Sequence, residues 1–210
     1  MSTSALLFRF VVGTIMQKYI SYMNILEMMQ KCRSYRRFDA SYDIYKNELI
    51  QLVNIARLAP SARNMQPLRY RLVYTKQECD KVFPHLAWAG YLKDWDGPSE
   101  EERPTAYIIV SRDTTLSDNI FCDDGLAIQA ILLGAVEMKL GGCIIGSFRK
   151  KEIMESLNID EKYEIRYVIA LGKPVEEIVL EKITGDDIKY WRSEDGAHHV
   201  PKRTLDDLII

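Results

Sequence analysis

The sequence predicts an α+β fold in one domain. Segments with helical and strand-like periodicity alternate along the chain, but the connections between them are irregular, which favours α+β over a doubly wound sheet. The 210 residues are 47% hydrophobic and 28% charged, a globular composition with enough chain to bury a core. We expect residues 24–210 to form this domain.

Residues 1–23 predict an N-terminal arm or a mis-assigned start, with Met23 as the favoured true start. The apolar run at residues 5–16 resembles a signal sequence, but Arg9 interrupts it, no basic region precedes it and no Ala-x-Ala site follows it. The run is also too short to span a bilayer. A secreted form is the alternative.

The first half of the chain predicts three helices and a strand. Residues 25–32 form a short helix with apolar side chains on one face. In residues 46–59, leucine, valine and alanine recur at steps of three and four, and Pro60 ends this amphipathic helix. A strand at residues 70–74 and a short helix at residues 77–83 follow.

An aromatic segment separates these elements from the second strand. Trp88, Tyr91 and Trp95 lie in a stretch rich in turn-forming residues within residues 88–104. Gly97-Pro98 and the glutamate run at residues 100–102 after them predict an exposed loop. The aromatic rings could stack on a planar substrate or pack in the core. The unbroken apolar run at residues 106–111 predicts a buried strand.

The longest predicted helix spans residues 123–140 and carries apolar or small residues nearly all round its surface. A helix without a polar face must be covered on all sides, and in a chain of this size a partner subunit is the simplest cover. Gly141 and Gly142 are expected to end this helix, and residues 143–145 to form a strand that runs to Gly146.

The last predicted core elements are a helix at residues 149–157 and a strand at residues 165–171, closed by Gly172-Lys173-Pro174. The tail from Val175 is polar and predicts no further core element. No internal repeat occurs along the chain.

Composition excludes several classes of function. The formal charge of -2 provides no basic surplus for nucleic acid, and we expect no membrane partner. The four cysteines are widely spaced and form no CxxC pair, which argues against a zinc site or disulfide framework and for a reducing compartment, the cytoplasm. The side chains of adjacent His198 and His199 diverge, so we predict no metal site.

Familiar catalytic motifs are absent from the sequence. It contains no GxSxG elbow, Walker loop, HExxH or GxGxxG, and only three histidines. Enzymes without such motifs often leave the chemistry to a cofactor, which the protein binds, orients and tunes.

Two segments offer groups for the phosphate of flavin mononucleotide (FMN). A phosphate dianion needs charge-assisted donors such as guanidinium and hydroxyl groups. Arg33 and Ser34 supply them near the start of the chain, and Lys202 and Arg203 near its end.

Other residues match the flavin ring. Its pyrimidine edge gains negative charge on reduction, so a cation such as Arg36 would stabilise the reduced state. The same edge carries alternating donors and acceptors, which a side-chain amide such as Asn64 or Gln66 can match. Gly146 and Ser147, at a strand end, could bring backbone N–H groups close to the ring.

Each segment also has a plain structural interpretation. The basic run could be a helix cap, residues 61–67 an ordinary turn, and the glycine pair only a helix terminator. No segment alone supports a function. Their order and joint presence favour the cofactor interpretation.

The segments at the start of the chain resemble the nitroreductase family. Residues 32–38, CRSYRRF, resemble the opening R-R-S-x-R-x-F of that family. Residues 56–67, ARLAPSARNMQP, resemble its A-R-x-A-P-S-x-x-N-x-Q-P and include Ser61.

The later segments extend the resemblance in register. Residues 124–129 together with 140–148 resemble the family's central helix and flavin-facing strand. Residues 170–174, ALGKP, resemble its closing A-L-G-x-P. The similarity covers about residues 25–203 in unbroken order.

The resemblance implies a three-layer fold with a central, mostly antiparallel sheet flanked by helices, in a domain-sharing homodimer with FMN at the subunit interface. It implies ping-pong chemistry, in which NADH or NADPH passes a hydride to the flavin and a nitroaromatic, quinone or similar small-molecule acceptor takes the electrons. No catalytic side chain is expected. By position, the cofactor-binding residues are Arg33, Ser34, Arg36, Ser61, Asn64, Gln66, Gly146, Ser147, Lys202 and Arg203.

The chain departs from the family pattern in two places. Cys32 stands where the first arginine is common, so phosphate binding would be weaker or would depend more on Lys202 and Arg203. The long aromatic insert at residues 88–104 leaves the acceptor open. A dehalogenase or flavin-modifying relative, a flavin-binding protein without turnover that acts as a sensor or assembly partner, and a globular dimer with no cofactor are the alternatives.

Overall fold

The computed structural model describes residues 23–210, so the expectations for residues 1–22 lie outside its description. The chain divides into two compact units after Lys31. The first contains helix α1, Ile25–Lys31, which buries none of its residues. The second, residues 32–210, holds every element described below.

The main sheet of the second unit has four strands in the order β1-β2-β4-β3, all antiparallel to their neighbours. The α+β class and the antiparallel sheet are therefore confirmed. The strands are β1 (Leu68–Val73), β2 (Ala106–Asp113), β3 (Gly141–Ile145) and β4 (Tyr163–Gly172). The helices are α2 (Lys46–Ala56), α3 (Lys76–Val82), α4 (Asp123–Glu137) and α5 (Lys150–Leu157).

Helices cover both faces of this sheet. On one face α2 and α4 pack together, and Leu132 of α4 meets Gly142 of β3. On the other face, Cys79 of α3 and Ile153 of α5 share a buried cluster with Tyr107 of β2. The predicted three-layer arrangement is confirmed.

Helix α2 begins and ends by local rules. The Glu48 carboxylate accepts a hydrogen bond from the backbone N–H of Tyr45 at 2.8 Å and so caps the first turn. The helix ends at Ala56, three residues before its predicted end at residue 59. After Ala56 the chain forms tighter turns, in which the N–H groups of Leu58 and Ala59 donate to the carbonyls of Ile55 and Ala56. Pro60 disfavours the helical conformation at Ala59, the residue before it.

The end of α4 differs from the prediction that Gly141 and Gly142 terminate it. Lys139 adopts a left-handed conformation with φ 59°, and Leu140 N–H donates to the Ala135 carbonyl at 2.8 Å. This cap ends the helix at Glu137. The two glycines instead open strand β3, where a side chain would collide with the neighbouring elements.

The expectation that a partner must cover α4 on all sides is only partly consistent with the fold. Seven apolar or small residues of α4 are buried within the single chain: Ala127, Ile128, Ile131, Leu132, Gly134, Ala135 and Val136. A narrow stripe is left, with Leu126 exposed and Leu133 half-buried. No helix within residues 23–210 is long and apolar enough to cross a membrane.

The polar tail, in which no core strand was expected, forms a second sheet outside the core that the sequence analysis did not predict. Strands β5 (Ile178–Lys182), β6 (Trp191–Arg192) and β7 (His198–Lys202) form a second sheet in the order β5-β7-β6. β5 and β7 are parallel, whereas β6 and β7 are antiparallel. The tail is polar because this small sheet is mostly half-buried or exposed.

Gly142 provides a test of the packing between β3 and α4. A Cβ atom at this position would lie 2.7 Å from the Leu132 side chain and 2.9 Å from the Ala170 carbonyl oxygen, which as backbone cannot move aside cheaply. We expect Gly142→Ala to lower the free energy of unfolding in urea by about 1–3 kcal/mol, the usual cost of overpacking.

Gly125 in α4 is the matched control. A Cβ atom there would meet nothing within 4 Å, so Gly125→Ala should leave stability unchanged or raise it by up to about 1 kcal/mol. Equal stability of the two variants would contradict the close strand–helix packing.

Candidate cofactor site

The loop after α2 is anchored to the first residue of α4. The Ser61 hydroxyl donates to the Asp123 carboxylate at 2.6 Å, and the Ala62 N–H donates to it at 2.9 Å. The Gln66 N–H in turn donates to the Ser61 hydroxyl at 2.8 Å. Asp123 is buried at a helix N-terminus, where a carboxylate is favoured. The Ser61 hydroxyl therefore serves to fix the loop.

The same loop holds two predicted amides side by side. Arg63, Asn64 and Gln66 have positive φ angles of 52°, 55° and 49°. This conformation is uncommon outside glycine and persists where surrounding contacts impose it. The Gln66 side-chain N–H donates to the Asn64 side-chain carbonyl at 3.0 Å, and both residues are exposed.

Gly146 and Ser147 lie exposed, just beyond the last paired residue of β3. β3 is one edge of the main sheet, whereas the anchored loop leads into β1 at the opposite edge.

The basic segment lies beside the start of β3. Ser34 forms a parallel β-bridge with Gly142, and the Tyr35 N–H donates to the Gly142 carbonyl at 3.1 Å. Half-buried Arg33 folds back so that its Nε donates to the Cys32 carbonyl at 2.6 Å. The basic segment therefore lies at the start of this edge strand, and Gly146 and Ser147 lie at its end.

The Arg36 side chain is held by uncharged partners. Its Nη1 donates to the Ser34 carbonyl at 3.2 Å and lies 3.2 Å from Nε2 of His198. The guanidinium carbon also lies 4.8 Å from the centre of the Tyr190 ring. Two of these three partners come from the tail that sequence reasoning left without structure.

A buried carboxylate fixes the backbone of the basic segment. The Glu176 side chain is fully buried, and it accepts hydrogen bonds from the backbone N–H groups of Arg36 and Arg37. It also pairs with the Arg192 guanidinium at 3.0 Å. A buried charge needs such partners, so the tail is tied firmly to the segment.

The tail residues were missed although a signal exists in the sequence. Residues 178–180, Ile-Val-Leu, are a short β-favouring stretch that follows directly on the charged residues that include Glu176. β7 starts at His198, near Arg36, and runs about 13 Å to Lys202. Lys202 and Arg203, both exposed, therefore lie well along the strand from Arg36.

Comparison with known proteins decides the family. The model of the nitroreductase family matches residues 29–173, more than half of the chain. The chain belongs to the nitroreductase family.

Curated relatives of this nitroreductase-family chain are distant but match over most of their length. A Bacillus subtilis protein provisionally named an NAD(P)H nitroreductase is 24% identical over 183 residues, which is 73% of this chain and 91% of the relative. An oxygen-insensitive NADPH nitroreductase of Helicobacter pylori is 25% identical over 193 residues, 76% of this chain and 92% of the relative.

Solved structures agree on the fold. A protein of Exiguobacterium sibiricum, crystallised in complex with FMN, superposes with a TM-score of 0.60 at 22% sequence identity. The match covers 74% of this chain and 90% of that protein. The nitroreductase-like fold is therefore confirmed.

Cys32 marks a departure from the arginine common in the nitroreductase family. It is buried, and its sulfur lies 3.5 Å from the Gln129 amide nitrogen. Burial raises the pKa of the Cys32 thiol, so the group is uncharged at neutral pH. It supplies no charge in place of the arginine.

The aromatic insert divides between two roles in this nitroreductase-family member. Trp88 packs against the buried cluster, with its ring 6.0 Å from that of Phe83, so it belongs to the core. Tyr91 is exposed, and its ring lies 5.0 Å from Tyr190. Trp95 lies under Arg192, 4.2 Å from the guanidinium carbon. Those two aromatics contact the tail beside Arg36.

The two adjacent histidines serve different neighbours. His199 hydrogen-bonds to Glu181 at 2.8 Å and stacks on Trp191 with 4.6 Å between ring centres. His198 is buried and faces Arg36. In the part of the chain from residue 23 onward, no group of three or more His, Cys, Asp or Glu residues could hold a metal ion.

Proposed function

We propose that the chain is an FMN-dependent oxidoreductase that transfers reducing equivalents from NADH or NADPH to a nitroaromatic, quinone or similar acceptor by a ping-pong mechanism. One observation carries the proposal. Cationic and hydroxyl donors beside the start of β3 and exposed backbone at its end line one edge strand, and exposed amides are held in the anchored loop before β1, a donor set that a phosphate-bearing flavin requires.

The donor set contains groups chemically suited to both ends of FMN. Arg33 and Ser34 would hold the phosphate, and Arg36 the pyrimidine edge together with an amide from Asn64 or Gln66. When bound, FMN supplies the centre that accepts a hydride from the nicotinamide and passes electrons to the acceptor. The remaining members of the set rest on the family resemblance: Gly146 and Ser147 near the ring, Lys202 and Arg203 near the phosphate, and Ser61.

The protein's own contribution is to bind, orient and set charge. The anchored loop fixes its amides in one conformation before any ligand arrives, which reduces the entropy lost on binding.

Four free cysteines within residues 23–210, three of them buried, support a reducing compartment, the cytoplasm.

FMN loading and turnover test the proposed function directly. The purified protein should carry about one FMN per chain, released on denaturation. Under anaerobic conditions NADH or NADPH should bleach its absorbance, and a nitroaromatic or quinone should restore it. A colourless protein that FMN cannot reconstitute would refute the proposal, and bound FMN that neither nucleotide bleaches would indicate a binding protein without turnover.

We also propose that the active form is a homodimer in which each subunit completes the site of the other. Leu126 on α4 and Ile144 on β3 are exposed by 41% and 43%. Leu126 lies one turn after Asp123, which anchors the amide loop, and Ile144 lies two residues before Gly146. In sedimentation experiments Leu126→Glu should convert two-chain particles to monomers and lower FMN content, because it places a charge on an apolar interface.

Leu116→Glu is the control for the dimer, since Leu116 is similarly exposed, at 48%, in the turn that follows β2. It should leave both assembly and FMN content unchanged. A wild-type protein that is monomeric and fully loaded with FMN would contradict the shared site.

Arg33 and Arg36 should differ in their effects on the flavin. A contact with the phosphate is equal in the oxidised and reduced states, so Arg33→Ala should weaken FMN binding by about 1.5–3 kcal/mol without changing the midpoint potential. Negative charge reaches the pyrimidine edge only on reduction. Arg36→Ala should therefore lower the midpoint potential by about 30 mV or more, the equivalent of about 1.4 kcal/mol for two electrons.

Dissociation constants and midpoint potentials of both variants provide the measurement. A wild-type potential in Arg36→Ala, or a larger shift in Arg33→Ala, would show that the flavin is not oriented as proposed.

A further inference from the structure

Three arginines meet where the basic segment contacts the tail, and their partners differ. Arg37 forms a two-point ion pair with Glu102 at 2.5 and 2.8 Å. Arg192 pairs with Glu176 at 3.0 Å. Arg36 forms no ion pair with any residue from 23 to 210, and its guanidinium contacts a carbonyl, an imidazole and an aromatic ring.

The protonation of His198 follows from its surroundings. Burial, with the positive charges of Arg36 and Arg192 nearby, lowers the pKa of His198 to about 4. At neutral pH the imidazole is uncharged and carries one N–H. A guanidinium has only donors, so Nε2 must present its lone pair to Arg36 and Nδ1 must carry the hydrogen.

That tautomer leaves a hydrogen-bond donor unused. The Nδ1 atom is buried and has no hydrogen-bond partner in the described part of the chain. Buried polar atoms are nearly always paired, so an orphaned N–H needs an explanation. The contact between Nε2 and Arg36 supplies one, because it requires this tautomer.

We propose that His198 is a positioning residue for Arg36, holding the guanidinium at the flavin's pyrimidine edge without neutralising its charge. This inference rests on the proposed function, in which Arg36 stabilises the reduced ring. Glu176 fixes the backbone of Arg36, and His198 fixes the far end of its side chain. A carboxylate at position 198 would hold Arg36 as firmly but cancel the charge on which the effect depends.

The first experiment needs no flavin. Long-range proton–nitrogen NMR of the imidazoles in FMN-free protein at neutral pH should show His198 as the neutral Nδ1–H tautomer. In Arg36→Ala the pKa of His198 should rise, because one of the charges that lower it is removed. A charged imidazole, or the Nε2–H tautomer, would overturn the proposal whether or not the protein binds FMN.

The second experiment compares three variants by their preference for reduced over oxidised FMN. His198→Gln keeps a neutral acceptor and should stay near wild type. His198→Leu, without an acceptor, and His198→Glu, with a charged one, should each reduce the preference about threefold to tenfold, where tenfold corresponds to about 30 mV. His199→Leu is the control, since its imidazole bonds to Glu181 and not to Arg36, and it should leave the potential unchanged.

The Arg36→Ala background separates positioning from a general structural effect. There, His198→Leu should cause no further shift of the potential. Equal shifts with and without Arg36, or no difference between the glutamine and glutamate variants, would overturn the positioning role. A protein that binds no FMN would refute the proposed function and with it the role toward flavin, while the tautomer result would still decide the contact itself.

Discussion

The candidate site depends on a buried carboxylate. Glu176 receives two backbone N–H groups from the basic segment and the guanidinium of Arg192, and its side chain is fully shielded from water. A buried charge that loses a partner is strongly destabilising, commonly by about 3–5 kcal/mol, so these three contacts form as a unit. That requirement holds the tail sheet and the segment that carries Arg36 in one arrangement. The aromatic insert joins them, because Trp95 lies against Arg192.

Much of the main domain could be predicted because its signals are local. Burial is indicated directly by the apolar spacing of residues 46–59 and by the unbroken apolar run of residues 106–111. Helix α2 and strand β2, which form there, lie close to their predicted bounds. The errors fall where a distant contact decides. Gly141 and Gly142 were interpreted as a terminator, but the local cap is Lys139, and the glycines exist because Leu132, Tyr35 and Pro174 approach their backbone.

The candidate site shows the same division. The amides of Asn64 and Gln66 and the donors of residues 33–36 could be named from the sequence, since each motif lies within a short stretch of chain. The groups that orient them could not. Asp123, Glu176 and His198 act across more than 60, 135 and 160 positions of sequence respectively, and neither periodicity nor composition reports a single long-range polar contact. The tail was misjudged for this reason, because its strands are anchored by polar contacts and carry little apolar pattern.

The choice of a histidine beside Arg36 follows from a balance of two costs. At a separation of 4 Å and an effective dielectric constant of 20, an opposite charge would interact with the guanidinium by about 4 kcal/mol, enough to offset most of what that cation could offer a nearby anion. A neutral imidazole avoids this loss but leaves its second nitrogen buried and unpaired, at a cost of about 1–3 kcal/mol. Leaving this nitrogen unpaired therefore costs less than neutralising Arg36, and it preserves the positive charge of the guanidinium. Arg37 and Arg192 lie next to it, and each is neutralised by a glutamate. The neutral partner of Arg36 is therefore specific to this position, since glutamates are present around it.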